Sequence, residues 1–423
     1  MFLSKQIILA VCILTCISQT NAQLQVSAEL RPRFEYRHGF RTLPEPSDEG
    51  IFLTTQRTRL NFKYRADNRL SMYVSLQDVR VWGQQDLNTQ AASVGLYESW
   101  IDFQLNQTFG IKLGRQEFEY DNLKILSNSD WRLAGRAHDA VLMKLQSKDS
   151  SLRLHMVAAI NNDRETLFKD FYQPNNYKNL YFTWLNKEFN NSQISLLWLD
   201  RGLQSADSSI NHSYTYGIYF EKKVNSWRFN GNFYKQSGIN ANGLKLNAHM
   251  ISLEAGNQIL NNVSLTVGTD ILSGTRGRDL LNPNIDHDHS FVPLYSRQHR
   301  YFGIMDMFYA GNRDVVPGLQ DYYLKTEIKS GTNSKLDIQL HNFYTHKELL
   351  NTENSNIESN KNLGFELDAM WTYQYSPSFK IQIGYAQFFA TRSMEIFTQR
   401  GDRNEIAHFF YITFDLKPIL GIL

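Results

Sequence analysis

The stretch "AELRPRFEYRHG", residues 28–39, decides the fold because its side chains alternate in character. One set is Leu30, Pro32, Phe34 and Tyr36, and the set between them is Glu29, Arg31, Arg33, Glu35 and Arg37. A period of two is typical of a β-strand with one apolar and one polar face. In a soluble sandwich the apolar face would be the core. In a transmembrane barrel it would meet lipid, and the charged face would line the lumen.

The first 22 residues are predicted to be a cleaved signal peptide, residues 1–22, ahead of one barrel domain, residues 23–423. Lys5 precedes an apolar run that is too short to span a bilayer, and the small residues before Gln23 suit a cleavage site. The residues before Cys16 fit a lipoprotein site poorly. Because Cys12 and Cys16 both lie in this leader, we expect no disulfide and no thiol chemistry in the mature chain.

The composition separates a barrel from a secreted soluble protein. Mean hydropathy is −0.43, which by itself suggests a soluble chain. Yet 27 Phe and 22 Tyr are present, and no stretch after the leader approaches the ~18 apolar residues of a membrane helix. Barrel strands escape hydropathy scans because only every second residue is apolar. The formal net charge of +2 gives no argument for nucleic-acid binding, and no nucleic-acid motif appears.

Strand-like segments follow one another to the C-terminus and number eighteen in this sequence. They are 24–38, 53–66, 69–82, 94–105, 109–118, 138–146, 151–161, 177–187, 193–200, 213–222, 227–236, 245–256, 263–272, 321–329, 335–346, 363–373, 379–390 and 405–416. Short and long connections between them alternate, which is typical of short periplasmic turns and longer external loops. The sequence therefore predicts an all-β fold, an antiparallel up-and-down transmembrane β-barrel of about 18 strands.

Residues 300–310, "RYFGIMDMFYA", test this assignment because they could form one more strand. Bacterial single-chain barrels have even strand numbers. We therefore assign the segment to the longest external loop, residues 273–320, where a helix folded into or over the pore is one form it could take. Two other strands change phase, and we expect bulges near Gln77-Asp78 and at Gly114 to restore it. In the segment 94–105 we expect Tyr97 to face lipid, and we expect Pro32 to disturb the pairing of its strand.

Charges on the predicted inner face are the strongest functional signal, since a barrel of about this size encloses water. Basic residues recur there, with acidic residues between them, as in Arg57, Arg59, Lys63 and Arg65 of the second segment. Basic ladders concentrate anions, and the guanidinium fork binds carboxylates. One interpretation is a track for an anionic solute such as a uronic-acid chain. The other is an ordinary porin lining, and the residues alone leave both open.

Other chemistry is weaker. "DHDH" at 286–289 could ligate a metal, but adjacent residues rarely surround one ion. His138-Asp139 and His408, or the pair Glu117 and Glu119, could suggest a barrel hydrolase, although no G-x-S-x-G motif is present. An energised receptor would need a plug and about 22 strands. We therefore expect no catalytic residues, no metal and no cofactor.

One block resembles a known family. "GRQEFEYDNLKILSNSDWRLAGRAHDAVLMK", residues 114–144, resembles the alginate-export family of outer-membrane barrels. "ELRPRFEYRHGF", "QRTRLNFKY", "VSLQDVRVWG", "FVPLYSRQHRYFGIMDMFYAGN" and "GLQDYYLK" are similar to it as well. The resemblance implies a monomeric channel of eighteen strands with an arginine-rich constriction for negatively charged polysaccharide.

The resemblance also suggests which residues act. Arg115, Glu117, Arg136 and Asp139 would lie at or near the constriction, and Arg33, Arg57, Arg59 and Arg80 match its basic positions less specifically. We expect the outer membrane of a Gram-negative bacterium as the location. The expected partners are an anionic polysaccharide or small solute, outer-membrane lipid and the barrel assembly machinery, with no nucleic acid. A general diffusion porin for small polar solutes, or less favourably a barrel hydrolase, is the alternative.

Overall fold

The computed structural model describes residues 22–87, 93–168, 176–205, 209–308, 316–351, 354 and 356–423. These residues form one closed antiparallel barrel of 18 long strands. The strands are β1 Gln23–His38, β2 Ile51–Arg65, β3 Leu70–Val81, β4 Gly95–Gln104, β5 Phe109–Gln116, β6 His138–Gln146, β7 Leu152–Ile160, β8 Asn179–Phe189, β9 Ser192–Gln204, β10 Ile210–Val224, β11 Trp227–Ile239, β12 Lys245–Leu260, β13 Val263–Leu272, β14 Leu319–Ser330, β15 Ser334–Thr345, β16 Asn362–Ser376, β17 Phe379–Ala390 and β18 Ala407–Leu416.

Each strand pairs with its neighbours in sequence, and β18 pairs with β1 to close the barrel. The C-terminal segment Ile419–Ile422 extends this pairing along β1. The ladder between β1 and β18 is interrupted at Arg31 and Pro32, as expected for a proline that lacks a backbone donor. The predicted strand number and order are thus confirmed.

The remaining elements are short. One α-helix, α1, spans Arg392–Thr398, and 3₁₀ turns span Asp279–Leu281 and Gln298–Arg300. Two-residue strands lie at His287–Asp288, Leu349–Leu350 and Ile357–Glu358. No helix among the described residues has the length and apolar character needed to cross a membrane.

The strand faces follow the predicted alternation. On β1, Leu30 is 40% exposed on the outer surface, whereas Arg31 is 8% exposed on the inner one. The outer surface carries a belt of exposed apolar side chains such as Leu60, Met72 and Ile101. Lipid can cover such a belt at no cost in free energy, whereas exposing it to water would be unfavourable.

The two predicted bulges are wrong in position. The ladder between β2 and β3 runs without a shift through Gln77 and Asp78, and the ladders on both sides of Gly114 are also regular. The shift lies instead between β3 and β4, where Ser75 pairs with Glu98 and Leu76 with Leu96. Tyr97 is therefore the additional residue, and it turns inward to 5% exposure rather than toward lipid.

Two external loops fold into the barrel. Loop L3, residues 117–137, and loop L7, residues 273–318, are joined by backbone hydrogen bonds from Tyr295 to Ile125 and from Arg297 to Leu123, each 3.0 Å long. Apolar residues of both loops form a buried cluster with inward side chains of the strands. Within L7, Arg300 ends the short 3₁₀ helix and residues 301–308 form turns, so the segment is neither a strand nor an α-helix. The predicted segment's last residues, 309–310, lie outside the described residues.

Candidate functional site: an arginine cluster in the lumen

Four guanidinium groups occupy one patch of the inner wall. We call Arg31 and Arg33 of β1 with Arg57 and Arg59 of β2 the arginine cluster. All four lie on the inner face, and each is at most 8% exposed. Arg31 and Arg57 stand directly opposite each other in the ladder. Like charges at opposite positions destabilise a sheet, so the cluster requires counter-ions.

Glu29 is the first counter-ion. It lies on β1 among the arginines, and its Oε1 accepts a hydrogen bond from Nε of Arg57 at 2.8 Å. Nη2 of Arg57 also donates to the same oxygen. Its other oxygen, Oε2, is 3.7 Å from Nη1 of Arg59. Because Glu29 is part of the strand, this charge is fixed in the wall.

Asp130 is the second counter-ion, and it comes from L3. Its Oδ1 accepts from Nη2 of Arg57 at 2.7 Å, and its Oδ2 accepts from Nη1 of Arg31 at 3.1 Å. Nη2 of Arg31 also donates to the Asp130 carbonyl at 2.8 Å. Burial raises the pKa of Asp130, but the two guanidinium groups outweigh burial and hold this pKa well below its usual range. One carboxylate thus bridges the two opposed arginines.

The neighbouring residue, Trp131, seats L3 against β1 and L7. Arg33 donates from Nη1 to the Trp131 carbonyl at 2.9 Å, and its guanidinium lies 4.0 Å from the centre of the indole ring. The ring of His299 from L7 stacks on the indole at 3.7 Å and 8°. Nδ1 of His299 is 2.8 Å from a carboxylate oxygen of Asp306. The aromatic stack connects the cluster to both inward loops.

Arg59 is held by a different set. Its Nε donates to Gln77 at 2.7 Å, and its guanidinium lies 3.6 Å from the centre of the Tyr97 ring. Gly135 of L3 passes beside this pair with φ of +70°, and a Cβ there would lie 2.6 Å from the Tyr97 hydroxyl. A glycine is needed at this position both for the backbone angle and for the close approach.

Beside the cluster is a cavity of about 290 Å³. Its charged lining includes Arg31, Arg33, Asp130, Arg297, Arg300, Lys380 and Asp415, and its apolar lining includes Trp131, Ile304, Met370 and Tyr411. A second cavity of about 440 Å³ shares Arg300, Gln339 and Met370 with the first. Lys335 and Lys380 in their linings are the second residues of β15 and β17, strands that follow short turns. The cavities therefore lie on the side of the short turns, which is the periplasmic side.

The structure gathers some of the predicted site residues. Arg33, Arg57 and Arg59 belong to the cluster. Glu117 also faces the lumen, where its Oε1 accepts from the Tyr97 hydroxyl at 2.5 Å. Arg136 donates from Nη1 to the carbonyls of Ser127 and Tyr295, at 3.1 and 2.5 Å, and burial lowers its pKa to about 10.

Three of the predicted site residues point outward, away from the lumen. Arg115 and Asp139 are paired with each other at 2.8 Å, with Asp139 61% exposed, on the outer face that also carries Leu113. Arg80 lies opposite Gln56 and pairs with Asp78 at 2.6 Å, likewise on the outer face. This outward orientation differs from the position in or near the constriction that the resemblance suggested for these three residues.

The candidates for other chemistry are dispersed as well. His138 faces inward and is 2.9 Å from the Tyr177 hydroxyl, whereas Asp139 faces outward, because adjacent strand residues point to opposite faces. Asp288 of "DHDH" accepts from Thr275, Ser290 and Asn240. Within the described residues, no group of three or more His, Cys, Asp or Glu could hold a metal ion.

The sequence did not single out the loop residues that complete the site. Asp130, Trp131, Arg297 and Arg300 reach the cavity from L3 and L7. Trp131 lies in the block that carries the family resemblance, and this was the available signal. Arg31 was predicted to line the lumen, but its pairing with Asp130 depends on the path of L3.

Comparisons with known proteins identify the family and related folds. A family model described as alginate export matches residues 22–396. The fold is similar to that of OpdO from Pseudomonas aeruginosa, with a TM-score of 0.64 and 12% identity over 94% of this chain and 98% of that chain. OccD3 (OpdP) from Pseudomonas aeruginosa is similar with a TM-score of 0.62 and 11% identity, over 94% of this chain and 92% of that chain. OpdK from Pseudomonas aeruginosa, solved with vanillate, is similar with a TM-score of 0.59 and 11% identity, over 94% of this chain and 98% of that chain. A search of the curated proteins found no significant match.

Proposed function

Because the chain belongs to the alginate export family and is a channel of the Gram-negative outer membrane, we propose that it passes anionic oligo- or polysaccharide. The solute class is an alginate-like uronate chain, and the arginine cluster is the selectivity element. The single observation that carries the proposal is the bridging of Arg31 and Arg57 by one carboxylate, that of Asp130. A site that holds one carboxylate in this way has the geometry to hold that of a uronate.

The cavity beside the cluster supports the same solute class. Its cationic lining attracts the carboxylates of a uronate chain. The ring of Trp131 is part of the lining, and an apolar ring face suits the C–H face of a sugar. Arg300 of this lining lies 5.8 Å from the Tyr301 ring, and Lys325 of the second cavity lies 4.4 Å from the Tyr323 ring. Arg136 and Glu117 contribute by holding L3 in place.

Ion selectivity in planar bilayers tests the proposal. The reversal potential in a salt gradient should report preference for anions, and trigalacturonate should block the current in a concentration-dependent way. Maltotriose, a neutral chain of the same length, should not block at equal concentration. A cation-selective pore that trigalacturonate leaves unblocked would refute the proposal.

A general diffusion porin for small polar solutes is the second candidate. It is favoured by the close pairing of the cluster, in which Glu29, Glu35 and Asp130 offset most of the positive charge. Such a lining keeps the pore hydrated without selecting a polymer. Equal permeation of neutral and anionic sugars in liposome swelling would decide for this alternative. In either case we propose a monomer that is inserted by the barrel assembly machinery.

A further inference from the structure

Asp130 occupies the position that a solute carboxylate would need. Its two oxygens accept one hydrogen bond each from Arg57 and Arg31, at 2.7 and 3.1 Å. Its side chain is still 31% exposed, although the side chain of Arg57 is fully buried. Asp130 also belongs to the lining of the 290 Å³ cavity. The bridging carboxylate can therefore be reached from the lumen.

The two counter-ions of the cluster differ in how they are attached. The Glu29 side chain is 6% exposed and extends from the middle of β1, so it cannot leave without disrupting the barrel. Asp130 extends from a loop of 21 residues between β5 and β6. Loop segments can open locally at a much smaller free-energy cost than strands.

The backbone of L3 indicates that its contacts hold it in place. Asp121, Leu123 and Ser129 have φ of +53°, +67° and +52°, which is the left-handed region. Such angles are unfavourable for residues with a side chain and persist only where the surroundings impose them. Ser129 immediately precedes Asp130 and is 4% exposed. If the contacts of Asp130 are lost, the strained segment has a reason to move.

We propose that Asp130 is a tethered ligand that occupies the solute's carboxylate site, and that an anionic solute displaces it and releases the adjoining part of L3. This inference rests on the proposed function and adds its regulation. In the resting channel L3 lies across the arginine cluster. A uronate that pairs with Arg31 and Arg57 takes over both hydrogen-bonding positions, so the cluster keeps its counter-charge while the loop moves.

Block by trigalacturonate tests the competition. Asp130→Asn retains the shape of the side chain and removes its charge, so the dissociation constant for block should fall about tenfold, within the usual range of coupling between sites. Asp163→Asn removes one charge from an exposed loop position and should change the constant less than twofold. Unchanged block in Asp130→Asn, with the native channel still anion-selective and blocked, would overturn the inference and leave the proposed function standing. A native channel that is cation-selective and unblocked would overturn both.

A second variant measures the release of L3 directly and does not depend on Asp130→Asn folding. Both native cysteines lie within residues 1–22, so Ser129→Cys gives the predicted mature chain one thiol. With trigalacturonate, its modification by a small methanethiosulfonate reagent should accelerate at least fivefold, and maltotriose should have no effect. Thr332→Cys in an exposed short turn controls for the reagent. A rate that trigalacturonate leaves unchanged or lowers would show that L3 is not displaced.

Discussion

Replacing Arg57 by glutamine tests how far the arginine cluster stabilises the barrel. The Arg57 side chain is fully buried, and it donates to Glu29 at 2.8 Å and to Asp130 at 2.7 Å. Without it, the nearest cations to Glu29 are Arg59 at 3.7 Å and Arg31 at 3.9 Å. Removing one partner of a buried ion pair costs about 3–5 kcal/mol. Lumen water can hydrate part of the orphaned charge, so we expect a loss of about 3 kcal/mol in the free energy of unfolding.

Urea unfolding of the protein in lipid vesicles, followed by tryptophan fluorescence, measures this loss. Arg153→Gln is the matched control, because the side chains of Arg153 and its partner Glu188 are 34% and 48% exposed, and an ion pair accessible to solvent contributes about 1 kcal/mol or less. The double variant Glu29→Gln/Arg57→Gln removes both charges and should recover part of the loss. If Arg57→Gln costs no more than Arg153→Gln, the cluster behaves as a solvated surface pair and the reasoning fails.

Three further outcomes are expected. Gly303→Ala should release L7, because Gly303 has φ of +76° and a Cβ there would overlap the Glu366 carboxylate. The strain should destabilise the docked loop by about 1–3 kcal/mol, and limited proteolysis within L7 should become faster. Arg115→Gln should leave the reversal potential unchanged, since Arg115 faces outward with Asp139; a shift would return Arg115 to the pore lining. The pKa of Asp130 is depressed in the folded protein. Its ion pairs are therefore complete above the unfolded-state pKa of about 4 and are lost only as the pH falls through the lower folded-state pKa. Trigalacturonate block at pH 8 and at pH 5 should therefore be equal.

The strands could be predicted from the sequence because the signal is local. Alternation along each segment and the parity of loop lengths need no tertiary information. The ends of β6, β13 and β17 coincide with the predicted segments. The position of the bulge could not be found in this way. Val79 is apolar, and this suggested that the strand changes phase before it. Val79 instead lies opposite Arg57 on the inner face of a regular ladder.

Part of the error in the site has the same origin. A bulge at Gly114 would turn Arg115 inward, whereas the regular ladder keeps Arg115 on the outer face, opposite Asp139. A change of one residue in register reverses every side chain that follows. Arg33, Arg57 and Arg59 were predicted correctly to face inward, because the alternation within β1 and within β2 continues without a change of phase.

In the proposed function, selectivity depends on loops as much as on the wall. The block 114–144 contributes Asp130 and Trp131 of L3 to the cavity lining. Together with Gly135, these residues dock L3 on the arginine cluster. A wall of arginines alone would attract any anion. A loop that supplies a competing carboxylate and an aromatic face makes entry depend on displacing them. A solute with carboxylates on a sugar backbone meets both conditions, which a simple inorganic anion does not.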